Sequence, residues 1–149
     1  IKDEDTLLCH GQPMLTIDKD TFKIHKMGNL NSRYASDKNQ VFCINNLRHV
    51  DLRPQDLIVL SGKYAKDSEK AAYSCEVFTP KDVTSMQYIS GEYAKDKKSV
   101  YFRDKIVVGA DPDTFVVEAS NTRLGAYAYD RYKFFKEDKE ISESEFRSE

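Results

Sequence analysis

Two short acidic stretches carry the residues that are best spaced to bind a cation. Asp-Lys-Asp at residues 18–20 and Asp-Pro-Asp at residues 111–113 each place two carboxylates two positions apart, as calcium loops do. A calcium loop also needs further oxygen ligands and a glycine for its sharp bend, and neither stretch supplies them. We therefore interpret both stretches as helix caps, in which the first carboxylate accepts backbone N–H groups.

The histidines and nucleophilic side chains form no catalytic or metal-binding motif. His10, His25 and His49 occur in neither a His-x-x-x-His nor a His-Glu-x-x-His pattern. The chain has no Gly-x-Ser-x-Gly elbow and no glycine-rich phosphate loop. The sequence therefore predicts a protein that is not an enzyme, with no catalytic residues, no cofactor and no metal ion.

The charge of the chain argues against nucleic acid as a partner. The 149 residues carry a net charge of −2, and the lysines are interleaved with aspartates and do not cluster. No apolar run approaches the ~20 residues that a membrane-spanning helix requires. The chain begins at Ile1, so its start neither indicates nor excludes a removed leader.

Two alternating phrases predict how the chain is organised. Tyr-Ala-x-Asp recurs at spacings of 30, 29 and 34 residues, beginning at Tyr34, Tyr64, Tyr93 and Tyr127. A second phrase, of the type Asp-Pro-Asp-Thr-Phe, lies between these copies at residues 18–22, 53–57, 79–83, 111–115 and, weakly, 142–146. Periods of this length are typical of repeat proteins.

The Tyr-Ala-x-Asp phrase predicts a β-hairpin. In residues 93–102, strand-forming residues flank a polar turn, and the aspartate that opens this turn can accept the backbone N–H groups that follow it. This pattern favours a hairpin built around a type I turn. A few residues later, types that tolerate positive φ share one column and predict a second, tight hairpin: Gly11, Asn45, Asp104 and Asp138. We interpret the repeated Asp and Lys residues as turn and surface positions without a chemical role.

The second phrase predicts a single helical turn. Good N-cap types begin four of its copies, at Asp18, Thr79, Asp111 and Ser142. Proline follows one place later, at the first helical position, as Pro54, Pro80 and Pro112. An apolar residue ends every copy, and we expect it to anchor the turn in a core: Phe22, Leu57, Val83, Phe115 and Phe146.

These patterns predict a mainly β protein of antiparallel β-hairpin repeats of about 30 residues, each with one short helical turn. We assign residues 1–149 to a single domain. Full units span residues 34–63, 64–92 and 93–126, and partial units span residues 1–33 and 127–149. The sequence leaves open whether the units form an open stack or a closed ring.

The three cysteines are interpreted from their places in the repeat. The absence of a Cys-x-x-Cys pair argues against a thiolate zinc site. Cys9 and Cys43 share the column that Phe102 holds in the clearest copy. Two interpretations stay open: both are small core residues, or they form a Cys9–Cys43 disulfide in an oxidising compartment. In the second interpretation Cys75 is left as a free thiol.

The residues quoted above resemble the bacterial DKNYY repeat family. The stretch "YAKDKKSVYFRDKIVVGADPDTFVV" (93–117) matches closely, and "YASDKNQVF" (34–42) also matches. The unit from Tyr64 departs, with Ser68 in place of Lys and one extra residue. The resemblance covers roughly residues 7–140. It implies a bacterial envelope or secreted protein, often encoded beside antagonistic toxins, and it carries over no catalytic residues.

The last Tyr phrase supplies the candidate partner-binding residues. Tyr129, Arg131 and Tyr132 stand where the better copies carry lysines, at turn positions that we expect to be exposed. Tyr and Arg are enriched in interface hot spots. We therefore take residues 121–132 as the candidate contact region, with sequence drift in a terminal unit as the alternative.

Two functional hypotheses from different classes follow. The first is a non-enzymatic protein-binding module, specifically a bacterial immunity protein that covers a toxin or secreted effector in the periplasm or cell envelope. The alternative is a structural or adhesive envelope repeat protein without a dedicated partner. A third hypothesis, an enzyme, would be tested by assaying hydrolysis of phosphate, ester and glycan substrates.

Overall fold

The computed structural model describes residues 5–9, 12–46, 48–118 and 126–148, and its strands form antiparallel sheets. The chain divides into two compact units, residues 1–79 and residues 80–149. The first unit holds one two-stranded and two four-stranded sheets, and the second holds two four-stranded sheets and a short α-helix. The prediction of a mainly β protein is confirmed.

The first unit consists of three antiparallel sheets. The two-stranded sheet pairs β1 (Asp5–Cys9) with β2 (Gln12–Ile17). The next sheet contains β3 (Lys23–Met27), β4 (Leu30–Ser36), β5 (Val41–Cys43) and β6 (His49–Val50). The third contains β7 (Ile58–Val59), β8 (Tyr64–Lys66), β9 (Ala71–Tyr73) and β10 (Glu76–Phe78), and a 3-10 helix at Pro54–Asp56 precedes it.

The second unit consists of two four-stranded sheets and a terminal helix. A 3-10 helix at Val83–Ser85 leads into β11 (Gln87–Ser90), β12 (Tyr93–Lys95), β13 (Val100–Phe102) and β14 (Lys105–Ile106). The last sheet contains β15 (Val116–Val117), β16 (Tyr127–Tyr129), β17 (Phe134–Lys136) and β18 (Lys139–Ile141). The helix α1 spans Glu143–Arg147.

The aspartate of each Tyr-Ala-x-Asp phrase closes the hairpin turn between the second and third strands of its sheet. Its backbone N–H donates to the carbonyl three residues later at 3.0 Å, from Asp37, Asp67, Asp96 and Asp130. One carboxylate oxygen accepts the N–H groups two and three residues ahead, as Asp96 does from Lys98 and Ser99, both at 2.7 Å. These bonds confirm the predicted role of the aspartate in the turn.

The interpretation of these aspartates as surface positions is wrong, because all four are buried. The second carboxylate oxygen accepts a backbone N–H from the turn that precedes the sheet. The donors are Asp18 to Asp37 (2.9 Å), Arg53 to Asp67 (2.8 Å), Asp82 to Asp96 (2.9 Å) and Asp111 to Asp130 (2.8 Å). Each aspartate thus ties its hairpin to the preceding turn. Burial alone would raise the pKa of Asp67, but the N–H groups of Glu69, Lys70 and Arg53 outweigh it and lower that pKa.

The predicted helical turns are confirmed only in part. Ser142 caps α1 as predicted, and its side chain accepts the N–H of Glu145 at 3.1 Å. Asp18 and Asp111 begin hydrogen-bonded turns and not helices. The assignment of Thr79 as a cap is wrong, because the 3-10 helix follows Asp82.

The structure also corrects the anchor of that copy. Met86 is the buried residue after the 3-10 helix, and the predicted anchor Val83 is only half-buried. The N–H of Asp82 reaches Asp96, as the other turn-opening residues reach their aspartates. Pro80 therefore lies outside the column that Pro54 and Pro112 share. The predicted cap, placed before Pro80, lies three residues to the N-terminal side of the true cap, Asp82.

Positive backbone φ does not fall on the predicted column: Asn45 has no positive φ, and in the last two sheets the positive φ lies one residue earlier. The tight turns before β14 and β18 are present, but their positive φ angles belong to Arg103 (59°) and Glu137 (55°). In the turn before β10, Ser74 and Cys75 both have positive φ. Gly11, the first member of the column, lies outside the described residues.

Large side chains of one sheet pack against small side chains of the next sheet within each unit. In the first unit, Tyr34 and Val41 share a buried cluster with Ala65 and Ala72. In the second unit, Tyr93, Val100 and Phe102 of one sheet share a buried cluster with Ala128 of the next sheet, and the large Phe135 of that sheet joins them. The hydroxyl of Tyr34 donates to the Lys63 carbonyl at 2.7 Å and accepts the Cys75 N–H at 3.1 Å. A buried tyrosine thus supplies both apolar area and a bond to the next sheet.

Titration of Tyr34 gives a test of this packing. Burial raises the pKa of Tyr34 to about 12 from its ordinary 10.0. The folded state therefore holds the proton more tightly, and this contribution is complete below pH 10 and lost as the pH rises towards 12. We expect the stability advantage of the native chain over Tyr34→Phe to shrink by about 2 kcal/mol across that range. Urea unfolding at a series of pH values measures it, and a constant difference would contradict the assignment.

A disulfide joins Cys43 and Cys75, with a Cα–Cα distance of 5.7 Å. The predicted Cys9–Cys43 disulfide and the predicted free Cys75 are therefore wrong. Cys43 is a buried core residue, as the other interpretation predicted, and the side chain of Cys9 lies outside the described residues. Cys43 on β5 thus meets Cys75 in the turn between β9 and β10, and not Tyr73, which holds the column of Cys43 in the next sheet. The bond links the two four-stranded sheets of the first unit.

Reduction of this disulfide is expected to lower the free energy of unfolding of the first unit by about 3 kcal/mol. The cross-link spans a sequence separation of 32 residues and constrains the unfolded chain. Urea unfolding with and without dithiothreitol measures the change. Cys43→Ser should abolish the response to the reductant, whereas Cys9→Ser should leave it intact. A lost response in Cys9→Ser would contradict the pairing.

Candidate protein-binding surface

Two of the predicted partner-binding residues, Arg131 and Tyr132, lie in the turn between β16 and β17, whereas Tyr129, predicted at a turn position, is the last residue of β16. Buried Asp130 accepts the N–H groups of Tyr132 and Lys133, both at 2.7 Å, and that of Asp111 at 2.8 Å. The N–H of Arg131 donates to the Thr114 hydroxyl at 3.1 Å. The backbone of the turn is therefore fixed from both sides, which reduces the entropy lost when its side chains bind a partner.

The structure brings the three predicted side chains to one surface region, and all are exposed. The guanidinium of Arg131 lies 5.3 Å from the ring centre of Tyr132, which is 70% exposed. A carboxylate of Asp111 lies 3.9 Å from Arg131, a long ion pair. Tyr129 is 40% exposed, and its ring meets Phe146 edge-on at 6.1 Å. An arginine stacked on an exposed tyrosine is a combination common in hot spots.

Beside Tyr129 lies a depression of about 410 Å³ that the sequence did not predict. Phe134, Phe146 and Arg147 line it together with Tyr129 and Asp130. The ring centres of Phe146 and Phe134 are 4.7 Å apart, and the guanidinium carbon of Arg147 lies 5.8 Å from the ring centre of Phe134. The aromatic residues of β17 and the phrase at 142–146 were visible in the sequence, but their meeting depends on where α1 docks.

The depression lies on the face of the last sheet that the short helix α1 covers only in part, whereas the sheet before it is covered by the whole last sheet. The face that carries Tyr93 packs against Ala128 and Phe135 of the last sheet. On the last sheet, Val116 pairs with Tyr129 and Tyr129 with Phe134, so these three side chains share one face. The helix α1 covers part of this face through Phe146, and Val116 and Tyr129 stay exposed.

The Asp111 carboxylate supplies a negative charge beside Arg131 at this surface. The hydroxyl of Thr114 donates to the Asp111 carboxylate at 2.8 Å and is the chief reason that the pKa of Asp111 lies below its ordinary value. The carboxylate is thus ionised at neutral pH and can orient Arg131. Residues 121–125 of the predicted contact region lie outside the described residues.

The histidines and the acidic side chains were the other candidates in the sequence. Among the side chains that the structure describes, no three His, Cys, Asp or Glu residues are grouped to hold a metal ion. His25 contacts Ser36 in the first unit, and His49 is exposed on β6. His10 lies outside the described residues. Within the described part of the chain, no helix is long and apolar enough to cross a membrane.

Within the described residues the chain is an antiparallel β protein, with four small four-stranded sheets in which an aspartate bonds each central hairpin to the turn before its sheet. The profile of the DKNYY family matches residues 1–143, and the chain belongs to this family. The resemblance seen in the sequence is therefore confirmed. Comparison with curated proteins and with solved structures gave no match.

Proposed function

We propose that this protein is a non-enzymatic protein-binding module, and more sharply a bacterial immunity protein that binds and neutralises a toxin or secreted effector. The observation that carries the proposal is the stacked pair of Arg131 and Tyr132 on a turn held by Asp130. Rigid strands present this pair beside an aromatic depression. A surface of this kind suits a protein partner whose active site it would cover.

We further propose the bacterial periplasm or cell envelope as the compartment. The support is the Cys43–Cys75 disulfide, since structural disulfides persist mainly in oxidising compartments. Expression of the full-length gene in its native host, followed by cell fractionation, would test this. Recovery of the protein in the cytosol with reduced thiols would contradict it.

The binding experiment uses the effector encoded beside this gene as the probe. We expect Arg131→Ala with Tyr132→Ala to weaken binding by at least about tenfold, as loss of hot-spot residues does. Lys97→Ala with Lys98→Ala is the matched control, because these residues occupy the same positions of the β12–β13 turn. Both variants should keep the native melting temperature.

Two outcomes would contradict the proposal. Equal affinity of the Arg131/Tyr132 variant and the native chain would remove this surface as the contact. Absence of any effector binding, with retention of the protein on purified envelope, would favour the structural or adhesive alternative.

A further inference from the structure

The hairpin of β3 and β4 extends beyond the rest of its sheet. The strand β5 pairs with β4 only over residues 34–36, so the first residues of β4 have β3 as their only strand partner in the described structure. A two-residue turn, with Gly28 at a φ of 63°, joins the two strands and places Met27 opposite Leu30. Residues 26–31 are all exposed, and we call them the β3–β4 tip.

Two unbranched or γ-branched aliphatic side chains lie side by side at this tip. Leu30 is 75% exposed and Met27 is 39% exposed. As direct cross-strand partners next to the turn, they share one face of the hairpin. Removal of this apolar area from water is favourable, and the sheet itself leaves it uncovered.

Positive charge lies next to this apolar pair. Lys26 belongs to the tip and Arg33 follows it on β4, and neither forms an ion pair with any residue that the structure describes. The N–H of Arg33 donates to the Gly62 carbonyl at 2.9 Å, which places the loop before β8, with Lys63, beside the hairpin. Residues 21–36 contain no Asp or Glu.

Acidic groups do not offset this charge at the tip. At the same end of the first unit, the turn after β9 supplies Glu76, which is paired with Arg48 at 2.9 Å. The carboxylates of the turns at residues 18–22 and 37–40 lie at the opposite end of β3 and β4, about 13 Å from the tip by the rise of a strand. The hairpin therefore ends in an exposed apolar pair within a surplus of positive charge.

This combination fits an anionic lipid surface better than an acidic protein or a nucleic acid. The cores of protein interfaces are enriched in aromatic residues and Arg and are depleted of Lys, whereas this hairpin offers Leu, Met and Lys. At a bilayer, aliphatic side chains enter the acyl boundary while the long side chains of Lys and Arg reach the headgroups. Nucleic acid would neutralise the cations but leave Leu30 in water.

We propose that the β3–β4 tip docks on the surface of a bilayer that contains anionic phospholipids, with Leu30 at the acyl boundary and Lys26 and Arg33 at the headgroups. The proposal does not depend on the immunity function or on the surface around Arg131. A single hairpin gives weak and reversible contact, so we expect half-maximal binding at about 1 mM accessible lipid.

A fluorescent reporter at the tip tests insertion directly. The chain contains no tryptophan, so Leu30→Trp introduces a single indole. Vesicles of equal parts phosphatidylglycerol and phosphatidylcholine should shift its emission to shorter wavelength, as the indole leaves water. Val108→Trp is the matched control, because Val108 is 77% exposed in the second unit, and its emission should stay unchanged. Vesicles of phosphatidylcholine alone should bind at least about tenfold more weakly, since the attraction of the cations is lost.

Cosedimentation of the chain with the anionic vesicles assigns the contact to individual side chains. We expect Leu30→Asp to weaken binding at least about tenfold and Lys26→Gln about fivefold. Lys19→Gln, which alters an exposed lysine in the turn before β3, should leave binding unchanged. These side chains are exposed, so all three variants should keep the native melting temperature.

Three results would overturn the proposal. The first is that the native chain sediments with neither kind of vesicle. The second is that Leu30→Asp binds the anionic vesicles as well as the native chain does. The third is that soluble poly-glutamate binds the tip in a Leu30-dependent manner while the vesicles do not, which would assign the tip to an acidic protein partner.

Discussion

Asp96→Ala is expected to lower the free energy of unfolding of the second unit by about 4 kcal/mol. Asp96 is 2% exposed, and its carboxylate accepts four hydrogen bonds. The donors are the N–H groups of Asp82, Lys98 and Ser99 and the hydroxyl of Tyr101, at 2.7 to 2.9 Å. Alanine leaves these donors without an acceptor, and the hairpin loses its tie to the preceding turn.

Urea unfolding followed by circular dichroism measures the loss for Asp96→Ala. Asp113→Ala is the control, because Asp113 is exposed in the turn before β15 and should change stability by less than about 0.5 kcal/mol. Hydrogen exchange at Asp82, Lys98 and Ser99 should accelerate in the first variant only. Equal effects of the two substitutions would show that the hydrogen bonds accepted by Asp96 contribute little to stability.

Phe115→Ala is expected to destabilise the second unit by about 4 kcal/mol. Phe115 is 6% exposed, and its ring centre lies 5.3 Å from that of Tyr93 and 5.7 Å from that of Phe135. Truncation would leave a cavity between these two rings, and both sheets of the unit border it. The cost therefore combines lost apolar burial with an unfilled volume.

The matched control is Phe22→Ala, in the same phrase and the same place before a first strand. Phe22 is 36% exposed and has one ring neighbour in the described residues, Phe42 at 6.3 Å. The prediction of Phe22 as a core anchor is therefore wrong, and its truncation should cost only about 1 kcal/mol. Unfolding midpoints at unchanged m-values test the contrast. Equal losses would contradict the burial that the structure assigns.

The candidate surface could be predicted in part. Arg131 and Tyr132 follow from a local pattern, since a turn that opens with Asp130 exposes the residues directly after it, whereas Tyr129 precedes this turn on β16. Phe146 and Arg147 could not be added, because their meeting with Tyr129 depends on how α1 docks. The bond between His25 and Ser36 was equally hidden, since it lies at an irregularity of the β3–β4 register.

By itself, the sequence determined the features that depend on neighbouring residues. Alternating strand formers and turn residues specify the hairpins at Tyr34, Tyr64, Tyr93 and Tyr127, because turn geometry and cross-strand pairing are local. Family membership follows from the same residues. Tertiary structure alone decided that the turn aspartates are buried, that Cys43 pairs with Cys75, and that Met86 replaces Val83 as anchor. These features depend on which faces of two sheets meet, and residues far apart in the chain determine that contact.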